Sequence, residues 1–167
     1  MPLDQVNLMT ARELVNVYAG LGANLGHARQ SLEHAIVAIG QLPETLLVGS
    51  SSFYRSAPFQ ADGPDYINAV VHLQTRLNAF DLLRSFQRIE QLAGRERPYP
   101  NAPRTLDIDL LLFGDCAIQS HALQVPHPRM RERAFVLLPL TELAPGLVSQ
   151  DELLKVQGQV VHRISSP

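Results

Sequence analysis

The stretch TLDIDLLLF, residues 105–113, limits what this chain can fold into more than any other. It is apolar apart from one threonine and two acids, contains neither glycine nor proline, and is short, so it reads as a strand. Side chains two apart in a strand share a face. Asp107 and Asp109 therefore stand together, roughly 6–7 Å apart, while Leu106, Ile108 and Leu110 occupy the opposite face. A sheet thus runs through the protein, with one apolar face and a pair of carboxylates on the other.

The rest of the chain supplies neighbours for that strand. Leu14–Leu21 is β-branched and apolar and reads as a buried strand ended by Gly20 and Gly22. From His27 to Gly40, Leu32, Ala35, Ile36 and Ile39 recur at helical spacing, and Pro43 closes the segment. Leu46–Tyr54 reads as a second strand, and a Pro/Gly/Asp loop follows over 57–65. Ile67–Leu77 is a third strand. Leu77–Ala93 is an amphipathic helix capped by Asn78, with Leu82, Leu83, Phe86, Ile89 and Leu92 on its stripe and Gly94 as its stop. A proline- and arginine-rich loop, 95–104, leads into the acidic strand. After it come a turn at Gly114–Asp115, a Pro-His-Pro segment at 126–128 and a helix from Met130 to Leu143. The order predicts an α+β fold with a ferredoxin-like βαββαβ core and additional C-terminal elements. With 167 residues, the expected organisation is an N-terminal extension over 1–13 and a single domain over 14–167. That fold hosts many functions and by itself selects none.

Charge narrows the chemistry. Fourteen basic against sixteen acidic residues give a net charge of -2, which draws the protein to neither nucleic acid nor membrane. Lys155 is the one lysine, so a lysine-dependent phosphate loop or Schiff base is excluded upstream of it, and any grip on phosphate must come from arginine forks, backbone amides or metal. Cys116 is the one cysteine, which excludes an intrachain disulfide framework and fits a reducing compartment. No apolar run approaches the ~18 residues of a membrane span, and residues 1–13 lack a signal-peptide layout. The expectation is a cytoplasmic protein with no nucleic-acid or membrane partner.

Two readings of the acidic strand stand side by side. Asp-x-Asp can be the wet face of an edge strand, or a site for Mg²⁺, which takes one or two carboxylates and completes its octahedron with water and substrate phosphates. Arg95, Arg97 and Arg104 precede the strand, and His127, Arg129, Arg131 and Arg133 follow it. Such a setting fits a metal–polyphosphate site. It also fits a solvated ion-pair network with Glu90, Glu96 and Glu132. The GLGANLG segment at 20–26 fails the dinucleotide spacing, because position 25 is Leu25, and it reads instead as a tight strand-to-helix turn that can lend backbone to a nearby ligand. Tyr66 and Asn68 offer a stacking face and an amide edge to a flat heterocycle, or serve as a core tyrosine and a turn asparagine. Phe135 reads as core.

Several blocks then resemble one family. Pro103-Arg104-Thr105-Leu106-Asp107-Ile108-Asp109-Leu110-Leu111 is similar to the signature of the 6-hydroxymethyl-7,8-dihydropterin pyrophosphokinases of the folate pathway. Gly22-Ala23-Asn24-Leu25, Ser52-Phe53-Tyr54-Arg55, Pro64-Asp65-Tyr66-Ile67-Asn68-Ala69, Gln87-Arg88-Ile89-Glu90 and Val125-Pro126-His127-Pro128 resemble further family blocks in family order, over about Val15 to Val148. The resemblance implies a ferredoxin-like fold and transfer of the pyrophosphoryl group of ATP to the pterin hydroxymethyl oxygen, releasing AMP. It implies two Mg²⁺ held by Asp107 and Asp109, with Asp109 also helping to take the hydroxyl proton. Arg95 and Arg104 would bind phosphate oxygens, and Arg97 would act from a catalytic loop. Gln87, Glu90, Leu110, His127 and Arg133 would form the rest of the nucleotide site. Tyr66 and Phe135 would sandwich the pterin, Asn68 would bond its pyrimidine edge, and backbone groups at Ser56, Ala57 and Phe59 would complete that edge. Ala23 replaces the usual serine. Pro100 and Asn101 stand where relatives carry a basic residue and a tryptophan, and the chain has no tryptophan at all. A monomer is expected.

Two other classes remain open on the residues alone. A ferredoxin-like binding module would tolerate asparagine at Asp107 or Asp109. A different Mg²⁺-dependent phosphoryl transferase would share the acids and arginines, because these do not choose the acceptor. A nucleic-acid module would want a basic face, which a pI near 6.3 does not favour.

Overall fold

The computed structural model describes residues 12–58, 62–94 and 105–164. Its main sheet holds β1 (Val15–Ala23), β2 (Thr45–Ser50), β3 (Tyr54–Ser56), β4 (Tyr66–Thr75), β5 (Asp107–Phe113) and, later in the chain, β8 (Val161–Arg163). The spatial order is β5-β1-β4-β3-β8, with β2 sharing the edge of β4 that β3 uses. Every pairing is antiparallel. A small hairpin, β6 (Ile118–Gln119) and β7 (Gln124–Val125), follows β5.

Helices cover both faces. On one side α1 (Ala28–Gly40) and α2 (Ala79–Leu92) pack on a core containing Val17, Ala19, Leu21, Val71, Leu73, Ile108, Leu110 and Phe86. On the other, α3 (Ala134–Leu143) packs on Val70 and Leu111 through Val136 and Leu140. A last helix, α4 (Gln150–Val156), packs on α3 through Val156, Ala134 and Leu137. The burial of β4 records this layering. Residues 67–71 are buried on both faces, and beyond them burial alternates, because α3 no longer covers His72 and Gln74.

β5 carries a bulge that keeps both layers packed. Leu110 pairs with Ala19 and Leu112 with Tyr18, leaving Leu111 as the extra residue. Leu111 and Leu112 consequently both join the α3 side, while Leu110 and Phe113 join the α1/α2 side. At the end of β5, Gly114 has φ +50, and an added Cβ would lie 2.9 Å from a Val15 methyl, so glycine is required there.

Several expectations need correction. β1 runs on through Gly20 and Gly22 to Ala23 rather than stopping at them, and the turn falls later, at Gly26 with φ +58. The strand expected over 46–54 is broken into β2 and β3. At the break, the Ser51 amide bonds to Val70 O while its hydroxyl accepts from Val70 N, so a side chain takes over part of the ladder. Asn78 caps α2 as expected, its Oδ1 accepting from Asp81 N at 2.9 Å. The helix stripe differs, however: Leu92 is exposed and Glu90 is buried. The Glu90 carboxylate is satisfied by Ile108 N at 2.8 Å, which makes a charged residue tolerable in that layer. The helix expected over 130–143 is a 3-10 turn, Met130–Glu132, then an extended Arg133, then α3. α4 and β8 are among the C-terminal elements added to the core, and the β6–β7 hairpin follows the turn at Gly114–Asp115.

Candidate active site

Register brings the site together. Across β1, Gly22 pairs with Asp107 of β5 on one side and Asn68 of β4 on the other, and Gly20 pairs with Asp109. These positions share the α3-side face at the end of the sheet beyond Val70 and Leu111. With no side chains at Gly20 and Gly22, the sheet floor lies open between the carboxylates and the Asn68 amide. The result is a pocket of about 640 Å³. Its floor is Gly20, Gly22, Asp107 and Asp109. Ser56, Tyr66 and Asn68 form one side, Arg133 and Phe135 overhang it from the start of α3, and 159–161 close the remaining wall.

Asn68 is buried and rigidly held. Its Nδ2 donates to Ser56 Oγ at 2.8 Å and to Tyr54 O at 3.4 Å. Asn24, at the end of β1, donates to Pro64 O at 3.2 Å and ties the loop entering β4 to the same end of the sheet.

Opposite this amide edge, Asp109 Oδ2 lies 4.0 Å from both His127 Nε2 and Arg133 Nη1. His127 is fixed to the sheet through its backbone amide, which donates to Leu111 O. Its Nδ1 accepts from Arg129 N at 3.2 Å, which assigns the proton of the neutral ring to Nε2. Burial lowers the His127 pKa below 6.5; Arg133 and Arg129 push the same way and Asp107 opposes them. At neutral pH the residue is therefore an uncharged Nε2–H donor beside the carboxylates. The Arg133 guanidinium also sits over the Phe135 ring, 5.5 Å from its centroid.

The chemistry of the two acids limits which cation they could hold. Asp109 keeps 38% of its side-chain surface exposed, and Asp107 is half-buried. Among the described residues no cluster of three or more His, Cys, Asp or Glu forms. Two accessible carboxylates without a third protein ligand fit Mg²⁺, which leaves most positions to water and phosphate, and do not fit a closed structural zinc site.

Of the residues expected at a site, Ser56, Ala57, Tyr66, Asn68, Asp107, Asp109, Arg133 and Phe135 all line this pocket. His127 adjoins it through Asp109. Leu110 is buried in the core on the opposite face, Gln87 is exposed on α2, and Glu90 lies beneath β5 on Ile108 N. Phe59, Arg95, Arg97, Pro100, Asn101 and Arg104 lie outside the described residues. The sequence reading put backbone of the 20–26 segment near a ligand but did not make Gly20 and Gly22 a sheet floor, although their spacing of two within a strand is a signal for one open face. It also missed Gln159 and Val161, for which the sequence carries no signal.

A carboxylate pair beside an amide-edged, aromatic-flanked pocket on an antiparallel sheet fits a small-molecule site of the phosphoryl-transfer class. A family model described as 7,8-dihydro-6-hydroxymethylpterin-pyrophosphokinase (HPPK) matches residues 18–145, and the chain belongs to that family. It is 45% identical over 136 residues to the 2-amino-4-hydroxy-6-hydroxymethyldihydropteridine pyrophosphokinase of Haemophilus influenzae, covering 81% of this chain and 85% of the relative. The enzyme of the same description from Pseudomonas aeruginosa is 47% identical over 132 residues, covering 78% of this chain and 82% of the relative. Among solved structures, an HPPK-DHPS in complex with substrates matches with a TM-score of 0.62 at 12% identity, covering 80% of this chain. Wild-type Plasmodium falciparum HPPK-DHPS with pteroate matches at TM-score 0.61 and 12% identity, covering 77%. These two likenesses concern the fold, and this chain spans 40% of each solved chain. Among the described residues no helix is long and apolar enough to cross a membrane.

Proposed function

We propose that this enzyme, a pyrophosphokinase of folate biosynthesis, works through the pocket described above. It transfers the pyrophosphoryl group of ATP to the hydroxymethyl oxygen of 6-hydroxymethyl-7,8-dihydropterin. The pterin oxygen bonds to the β-phosphorus, the bond from that phosphorus to the α-phosphate oxygen breaks, AMP leaves, and the hydroxyl proton is released. The observation that carries the reading is the register of β1. Gly22 places Asn68 and Asp107 on either side of one open floor, so a ring bonded to the amide presents its substituent toward the carboxylates.

In this reading Asn68 bonds the pyrimidine edge of the pterin, with backbone groups at Ser56, Ala57 and Phe59 completing that edge. Tyr66 and Phe135 hold the two faces of the ring. Asp107 and Asp109 would hold two Mg²⁺, which would supply neutralisation of the triphosphate oxygens. Asp109 also accepts the hydroxyl proton. His127 Nε2–H and Arg133 donate to nucleotide phosphates. Arg95, Arg97 and Arg104, from the segment before β5, neutralise charge, and Gln87, Glu90 and the backbone at Leu110 border the nucleotide. The strand order and antiparallel pairings support naming the core ferredoxin-like, elaborated by α3, α4 and β8. We assign a single catalytic domain over 14–167 preceded by an extension over 1–13, acting as a cytoplasmic monomer. The exposed free thiol of Cys116 is in keeping with a reducing compartment.

Asp107→Asn and Asp109→Asn test the assignment. Each variant is expected to lose turnover by at least about a hundredfold. The fold should survive, with melting temperature close to that of the parent, since relief of the repulsion between two like charges on one strand face opposes the lost attraction of Asp109 to Arg133. Near-normal turnover by either variant at saturating Mg²⁺ would overturn the paired-ligand reading.

A further inference from the structure

Arg133 is an unusual residue to stand before a helix. N-cap positions favour Ser, Thr, Asp or Asn, whose side chains accept from the first helical amides. A guanidinium has donors only. Arg133 is extended, with φ -119 and ψ 111, and its side chain makes no capping bond to α3. It is turned instead toward Asp109 and Phe135. The amide of Ala134, the first of the helix, lies before those that an N-cap side chain serves and needs an acceptor of its own.

That acceptor comes from the far end of the chain. Gln159 Oε1 accepts from Ala134 N at 2.9 Å, and Gln159 Nε2 donates to Glu132 O at 2.7 Å. One side-chain amide thereby binds the peptide group on each side of Arg133. Those two peptide planes set φ and ψ of Arg133, and with them the direction in which its side chain leaves the backbone. The clamp is itself anchored at three points. Gln159 N bonds to Val156 O, Val156 is buried against Ala134 and Leu137, and β8 pairs with β3. A separate tie holds α4 to the 3-10 turn, through Arg131 on Glu152 at 3.3 Å and on Leu147 O at 2.6 Å. Gln159 lies beyond the residues 18–145 matched by the family model.

We propose that Gln159 is a positioning residue for Arg133, supplying from outside the family-matched region the two bonds that fix the backbone on either side of Arg133 and so direct its side chain to the phosphate side of the pocket. The proposal rests on the reading of Arg133 as a nucleotide-binding group.

The test is a double-mutant cycle between Gln159→Met, which keeps bulk but removes both hydrogen bonds, and Arg133→Ala. Calorimetric affinity for α,β-methylene-ATP with Mg²⁺ is the readout, and a melting curve is recorded for each protein. Gln159→Met should weaken binding about tenfold with Arg133 present and less than about twofold with Arg133 removed. Gln159→Glu, which sets a carboxylate oxygen against Glu132 O, should behave like Gln159→Met. Equal weakening in both backgrounds would mean that Gln159 acts only as wall or scaffold and would overturn the proposal. So would unchanged affinity in Gln159→Met while Arg133→Ala is impaired. Unchanged affinity in Arg133→Ala would overturn both the proposal and the nucleotide reading of Arg133.

Discussion

Alanine at Gly22 separates folding from binding. An added Cβ would lie 3.3 Å from Asn68 Oδ1 and 4.0 Å from Tyr66 Cδ1. The first distance is tight, and Asn68 has little room to give, because it is buried and bonded to Ser56 Oγ and Tyr54 O. A shift of a few tenths of an ångström there is offset in the free protein by the smaller conformational entropy that alanine loses on folding, about 0.5–1 kcal/mol. Stability should therefore change by less than about 1 kcal/mol. The bound ring has no such compensation. The methyl stands on the floor between Asn68 and Asp107, and overpacking of this kind costs about 1–3 kcal/mol, or roughly 5- to 150-fold in affinity. Gly20→Ala is the control for stability alone, since the nearest atoms to its Cβ are those of the Leu111 side chain at 3.5–3.8 Å, an ordinary contact. The assay is titration of each variant with 6-hydroxymethyl-7,8-dihydropterin beside a calorimetric melt. Gly22→Ala binding as tightly as the parent would refute the placement of the ring over this floor. A large drop in melting temperature would refute the claim that the fold tolerates the methyl.

The cluster joining β3, α3 and β8 yields two further predictions. The Tyr54 hydroxyl donates to Glu142 Oε1, and burial together with that bond raises the phenol pKa well above 10.0; Tyr54→Phe should cost about 1–3 kcal/mol, read as a fall in melting temperature of several degrees. Burial pushes the Glu142 pKa up, but the bonds from Tyr54 and from Ser52 N outweigh it and leave the value below 4.5. The folded state then binds fewer protons than the unfolded one just below pH 4.5, so this stabilisation is complete above pH 4.5 and is lost as pH falls through the folded value. Thermal melts on either side of that pH should show a shallower acid limb in Glu142→Gln than in the parent.

What the sequence revealed, and what it hid, follows from how local each cause is. The α2 cap was legible because Asn78 and Asp81 lie within one turn, and the carboxylate pair on β5 because strand alternation alone puts both acids on one face. Gly20 and Gly22 were misread as stops. Glycine usually interrupts a strand, but here the missing side chains leave a pocket floor whose walls come from residues 66–68 and 107–109, far along the chain. The break between β2 and β3 depends on Ser51 pairing with Val70, a contact absent from any local pattern. α4 was readable in principle, since Ser149 and Glu152 have capping-box spacing and form that box. Gln159 was not readable, because an isolated glutamine carries no pattern and its partners lie 25–27 residues away.

The central claim is that a carboxylate pair and an amide-edged slot on one open sheet face bring ATP and a pterin together for pyrophosphoryl transfer. Its most direct test is the nucleotide product formed from ATP and Mg²⁺ with and without 6-hydroxymethyl-7,8-dihydropterin. The account predicts AMP formed only with the pterin, in step with pterin pyrophosphate, and no ADP. ADP as the product, or AMP formed at the same rate without the pterin, would contradict it.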